Sequence, residues 1–170
     1  MGGMEIRPVR PDEEVPLGRL VLAAYAGLPG YVSEPEYELE LLDVAARAAV
    51  ADVLVAVDHD GRLLGGLTFV PDDTNPLAEH GIPGAASIRM LGVAADAEGR
   101  GVGTALVTEG LWRARAGGAR ELVLHSTDWM HGAHRLYLRL GFRRDPELDW
   151  TPAESDAVLL GFRHPLTDLP

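Results

Sequence analysis

Cysteine is absent from all 170 residues, which excludes disulfides, thiolate nucleophiles and Cys-ligated metal. Lysine is absent too: all 15 basic residues are arginine. That removes lysine Schiff-base chemistry and the Gly-Lys-Ser/Thr of a Walker phosphate loop. No run approaches the roughly 20 apolar residues of a membrane-spanning helix. Met1-Gly2-Gly3-Met4 lacks the basic and apolar regions of a secretory signal, so the expectation is a soluble, cytoplasmic protein. At 170 residues and 46 % hydrophobic content, residues 1–170 are expected to form a single domain with a sizeable core.

The net charge of −11 argues against a general nucleic-acid binder. Its distribution is uneven. Residues 1–80 carry 15 Asp and Glu against 5 Arg, whereas residues 98–144 carry 4 against 8. Either one half suits a cation and the other an anion, or surface charge simply drifts along the chain.

The chain centres on Glu98-Gly99-Arg100-Gly101-Val102-Gly103-Thr104, between a strand-like run ending at Val93 and a helix-like run reaching Ala116. Alternate glycines followed at once by helix formers describe a turn leading into a helix N-terminus, where unpartnered amides and the helix dipole favour an anion such as phosphate. Gly103, Leu106, Val107, Gly110, Leu111 and Ala114 recur at helical spacing and give that helix one apolar face.

Before the turn, Glu5–Arg10 reads as a strand, and Pro11-Asp12-Glu13-Glu14 as a helix start. A second helix is expected from near Ser33 to about Ala49. Val53–Val57 and Leu63–Val70 form a hairpin around Asp60-Gly61. Pro71–Pro83 is a loop long enough to serve a purpose. In the strand Ala86–Val93, Gly92 marks a bulge or a close approach by another backbone. After the turn helix come a strand at Glu121–His125, a helix carrying Trp129, Ala133, Leu136, Tyr137 and Leu140, and strands at Phe142–Trp150 and Ala157–Arg163. Tyr25, Tyr31 and Tyr37 are either ordinary packing or the wall of a pocket. The order is mixed α/β, and the glycine turn comes too late for a doubly wound nucleotide fold.

Two motifs carry a resemblance. Glu98-x-x-Gly101-x-Gly103 after a bulge-prone strand, and Ala133-His-Arg-Leu-Tyr137-Leu-Arg-Leu-Gly141-Phe142 on the helix two elements later, resemble those of the GCN5-related N-acetyltransferases (GNAT). The opening Ile6-Arg-Pro-Val-Arg-Pro11 is similar to that family's first strand and turn. The chain departs from the pattern at Glu98, where Arg or Gln is usual, and at Met130, where Asn is common.

The resemblance implies a single mixed sheet flanked by helices, its central strands splayed around an acyl-CoA cleft. It implies acetyl-CoA as acyl donor, its pyrophosphate on the backbone of Gly99, Arg100, Gly101, Val102, Gly103 and Thr104, and its pantetheine along Leu91, Gly92 and Val93. Arg100, Arg113, Arg115, Arg135 and Arg139 are either complements to the phosphates or solvated helix faces. The implied chemistry is direct attack of an amine on the thioester, which needs a neutral amine, stabilisation of the oxyanion and protonation of the departing thiolate. Tyr137 matches the family's proton donor, and a phenol of pKa about 10 suits a thiolate of similar basicity. For the base, the family's first position falls on Ser87, a poor one, and its second on His125, whose pKa near 6.5 suits the task. His131 and His134 lack a third partner, so no metal is expected. The acceptor is expected to be a small cationic amine or a peptide N-terminus, entering from the acid- and Tyr-rich stretches 25–40, 71–85 and 145–155. No nucleic-acid or membrane partner is expected, and a homodimer is left open. The competing reading is a non-catalytic acyl-CoA-binding or sensing domain.

Overall fold

In the hairpin strand Asp52–Val57, Val53, Val55 and Val57 pack into one apolar cluster, while Leu54 and Ala56 pack into another on the opposite face. This alternation is the pleat of a strand buried on both sides. The computed structural model describes residues 3–166. The single-domain expectation for 1–170, and the first two residues of Met1–Met4, therefore extend beyond the described residues.

The elements run β1 (Glu5–Pro8), α1 (Glu14–Ala26), α2 (Pro35–Leu42), α3 (Val44–Ala48), β2 (Asp52–Val57), β3 (Leu63–Val70), β4 (Ala85–Val93), α4 (Val102–Ala116), β5 (Glu121–Thr127), α5 (His131–Arg139), β6 (Arg143–Arg144) and β7 (Leu159–Pro165). They build one mixed seven-stranded sheet in the order β1-β2-β3-β4-β5-β7-β6. β1 to β4 are antiparallel neighbours, β5 runs antiparallel to β7, and β4 and β5 alone pair in parallel. Helices α1 and α2 contribute Leu17, Val21, Tyr25 and Leu41 to one face. On the other, α4 and α5 contribute Val102, Leu106, Val107 and Tyr137.

The parallel pairing is short. It joins Ala85, Ala86 and Ser87 to Glu121, Leu122 and Val123 and then stops. From Ile88 onward β4 stays with β3, while β5 continues with β7 through Thr127. The two central strands splay as expected.

Two details depart from the sequence reading, and a third selects between its alternatives for Gly92. The β4 bulge lies at Met90, which has φ +56°, opposite a register shift between Gly66 and Thr68. Gly92 is instead the close approach: a Cβ there would lie 3.0 Å from the Val21 Cα of α1. The single helix expected from Ser33 to Ala49 begins at Pro35 and is broken at Asp43, whose side chain accepts the Ala46 N–H at 3.1 Å. The buried Arg47 stabilises that break. Its guanidinium donates to the carbonyls of Glu40, Leu41 and Asp43 at the end of α2 and, at 3.1 Å, to Thr68 Oγ1 on β3. The strand expected over Phe142–Trp150 shrinks to Arg143–Arg144. There Pro146 has no N–H to offer, a 3-10 turn covers Pro146–Leu148, and Trp150 makes a single bridge to Leu159.

Arg47 is buried and ties helix-terminal carbonyls, that of buried Leu41 among them, to Thr68 on β3, so its loss leaves buried polar groups unsatisfied. Arg47→Met is expected to cost about 2–4 kcal/mol, read from the midpoint of urea unfolding.

Candidate active site

The parting of β4 from β5 exposes backbone that a sheet would otherwise occupy. Among the described residues nothing pairs with β4 from Ile88 to Val93 on the β5 side, so Leu91, Gly92 and Val93 present a strand edge inside the protein.

At the end of that edge lies the glycine turn. Gly99 and Gly101 take φ +74° and +79°, conformations that a side chain strains. Gly101 is the N-cap of α4, and the first helical bond runs from Ala105 N–H to its carbonyl at 3.0 Å. The amides of Val102, Gly103 and Thr104 therefore precede the helical ladder, and among the described residues no side chain caps them. This is a ready anion site, with exposed Arg100 in the turn. Glu98 is exposed beside it in an extended conformation. A Cβ on Gly103 would meet Leu136 Cδ2 at 3.1 Å, so the start of α4 rests on α5 one residue before Tyr137.

The other arginines divide. Arg113 is held by Glu109 at 3.0 Å and Asp52 at 3.4 Å, and Arg115 lies over the Trp112 ring at 5.9 Å. Both stand at the far end of α4, and Arg113 is about 16 Å along the axis from Val102. Arg135 and Arg139 are exposed on α5.

Tyr137 is buried, its ring 5.7 Å from both Phe142 and Phe162. Burial pushes its phenol pKa up, keeping the proton in place at neutral pH. It also adds to the rise at Tyr25, on the opposite face of the sheet. Met130 precedes α5 and packs with the α1 cluster, and Ser126 Oγ contacts its sulfur at 3.5 Å. His134 is used structurally: Nε2 bonds the Thr127 carbonyl at 2.9 Å and the ring lies 5.3 Å from Phe162.

On the α1 side a cleft of about 710 Å³ opens over the gap. His125 lines it, edge-on to Trp150, with Nε2 2.8 Å from the Leu148 carbonyl. A carbonyl only accepts, so Nε2 carries the hydrogen and the neutral ring's lone pair is on Nδ1. Ser87, the last paired residue of β4, also lines the cleft. Its hydroxyl is buried without a partner.

Stretches 25–40, 71–85 and 145–155 all reach this cleft. Tyr25, Tyr31 and Tyr37 are both packing and wall: Tyr25 lies 6.4 Å from Tyr37, and Tyr31 stands edge-on to Trp129 at 6.1 Å. Carboxylates come from Glu34, Glu36 and Glu40 around α2, Glu79 before β4, Asp128 after β5, and Glu154 and Asp156 before β7. Against these seven stands one arginine, Arg89, already paired with Glu79 at 2.7 Å. The lining therefore carries an excess of negative charge.

Sequence reasoning missed His80 and Arg89. His80 Nδ1 accepts the Ile82 N–H at 3.0 Å, so its Nε2 bears the hydrogen, buried and unpartnered. The one signal for it was the length of the Pro71–Pro83 loop. Arg89 is the lone charge within an apolar strand.

Comparison with known proteins identifies the family and the fold. The Acetyltransferase (GNAT) family matches residues 21–142. Mycothiol acetyltransferase of Geodermatophilus obscurus is 30% identical over 154 residues, which are 89% of this chain and 48% of that protein. The Arthrobacter sp. (strain FB24) protein of the same name is 36% identical over 107 residues, 60% of this chain and 32% of that one. This chain thus spans about a third to a half of those relatives. A GCN5-related N-acetyltransferase from Kribbella flavida superposes with a TM-score of 0.67 at 28% identity, covering 96% of this chain and 98% of that one. The Salmonella typhimurium acetyltransferase yncA, solved with its cofactor acetyl-CoA, gives 0.70 at 18% identity over 99% and 96%, a likeness of fold alone. The chain belongs to the GNAT acetyltransferase family.

Burial lowers the pKa of both His80 and His134 below the usual histidine value. The unfolded chain therefore takes up protons near pH 6.5 that the folded chain refuses, and stability falls as pH drops from there. Urea midpoints are expected to decline between pH 7.5 and 5.5, above the carboxylate range, and less steeply in His134→Gln.

Proposed function

We propose that the chain transfers an acetyl group from acetyl-CoA to an amine, by direct attack of the amine nitrogen on the thioester carbonyl carbon. The observation that carries this reading is the early parting of β4 from β5 after Ser87, which leaves a free strand edge leading to an uncapped helix N-terminus. A thioester on a pantetheine arm, ending in a pyrophosphate, has the shape and charge for both.

The amides of Val102, Gly103 and Thr104 receive the pyrophosphate, with Gly99, Arg100 and Gly101 shaping the turn. The edge of Leu91, Gly92 and Val93 takes the pantetheine. Bound there, acetyl-CoA supplies the activated acyl group. One C–N bond forms and the C–S bond breaks. His125 Nδ1 accepts the proton the amine loses, and Tyr137 gives its own to the departing thiolate. Burial raises the phenol, and an apolar setting raises a thiolate in the same sense, so the match between donor and leaving group survives.

The seven cleft carboxylates support a small cationic amine or a peptide N-terminus as acceptor. The relatives' name, mycothiol acetyltransferase, supports acetyl transfer as the reaction.

Tyr137→Phe is expected to lower the rate of CoA-thiol release at least about tenfold while leaving CoA affinity within about twofold of wild type. CoA that binds with no amine-dependent thiol release across a broad panel would favour a non-catalytic acyl-CoA-binding role instead. Gly101→Val places a β-branched side chain at φ +79°, and the expected weakening of CoA binding is about tenfold by calorimetry, for about 1–2 kcal/mol of strain.

A further inference from the structure

An amine that attacks a thioester must be neutral, and a carboxylate beside it stabilises the ammonium form instead. Seven carboxylates around a lone reacting nitrogen would therefore oppose the reaction they appear to serve. We propose that the acceptor is a diamine-type molecule, in which one primary amine reaches the parted strands while a second nitrogen stays charged against the rim of the cleft. This deepens the acetyl-transfer reading and rests on it.

The floor and the rim of the cleft differ in the required way. The floor is neutral and secluded. Ser87 is 5 % exposed with its hydroxyl unpartnered, and Thr127 Oγ1 is likewise buried and unpartnered. His80 Nε2 is a third such atom, on a ring whose Nδ1 is already taken by the Ile82 N–H and whose burial favours the uncharged form. Three residues that line the one cavity thus each carry a buried polar atom without a protein partner, which calls for a hydrogen-bonding group or water to satisfy it, and none of them penalises a neutral amine.

The rim is anionic and open. Glu36, Glu40, Asp128, Glu154 and Asp156 are exposed, and among the described residues none makes an ion pair. Glu79 is already matched by Arg89. Glu36 and Glu40 are one helical turn apart on α2, so they share a face, and Glu154 and Asp156 come from the segment before β7. The rings of Tyr31 and Trp129 stand beside them and offer further surface to a cation. A monoamine surrenders its charge to react and leaves the rim uncompensated. A diamine satisfies floor and rim together.

The test compares 1,5-diaminopentane with 1-aminopentane on the full chain with CoA present, by calorimetry and by CoA-thiol release from acetyl-CoA. The diamine is expected to bind roughly tenfold tighter or more, with kcat/KM following, and 0.5 M salt should shrink the ratio. In Glu36→Gln/Glu40→Gln the ratio should fall toward one. Glu154→Gln/Asp156→Asn, on the facing segment, supplies an independent second variant. Equal affinity of the wild type for the two amines overturns the inference, whether or not acetyl transfer is seen. A diamine preference in binding with no thiol release upholds the inference about the cleft and overturns acetyl transfer.

Discussion

The structure depends on a pairing that ends early. Two parallel strands at the centre of a sheet normally exchange hydrogen bonds along their length, and each unmade bond leaves a donor or acceptor to be satisfied elsewhere. β4 and β5 pair over three residues and then part. Each keeps its outer neighbour, β3 or β7, so the sheet survives as two wings joined at Ser87 and Val123. The Met90 bulge belongs to the same constraint. A non-glycine residue at φ +56° is costly, and a packed neighbourhood holds it: the Met90 side chain lies in the apolar cluster with Leu17, Val21 and Tyr25.

A divided sheet also connects its two faces. Tyr137 belongs to the α4 and α5 face, His125 and Ser87 to the cleft over α1, and in a continuous sheet they would be separated by backbone. Here the pairing of β4 with β5 ends at Ser87 and Val123, and beyond it no shared ladder closes the sheet between them. In the proposed reaction, proton removal and proton return happen on opposite sides of the thioester, and a gap between strands allows this without either group crossing the other's path.

Much of this was legible in the sequence because it rests on local chemistry. Alternate glycines before helix formers require a turn at positive φ, and Gly99 and Gly101 adopt it. Tyr137 lies on a helix of unmistakable period, and Gly141-Phe142 follows its end. What escaped the sequence depends on partners distant along the chain. The break at Asp43 is sealed by Arg47 reaching Thr68, 21 residues onward, and no local propensity encodes that bond. Gly92 could be read as a bulge or a close approach; that it is the approach to Val21, with the bulge at Met90, is visible only once α1 lies on the sheet. His80 looked like one residue of a polar loop, since nothing local indicates that it lines a cleft with its Nε2 buried and unpartnered.

The uneven charge noticed along the chain acquires a physical meaning in three dimensions. Acids from residues 34–40, 79, 128 and 154–156 converge on one cleft, although the sequence separates them widely. Such convergence is costly unless a cation shares the space, because like charges around a partly enclosed volume repel. Ion pairing relieves only Glu79, and lining the cleft with lysine or arginine would have relieved the rest. Glu34 accepts from the Ser155 hydroxyl, and the other unpaired carboxylates stay exposed, where water screens them in the empty state. The neutral hydrogen-bonding atoms stay buried, where a charge would be most expensive. In the proposed reaction, field at the mouth and neutrality at the floor would together attract a cation while letting the nitrogen that reaches the floor shed its proton.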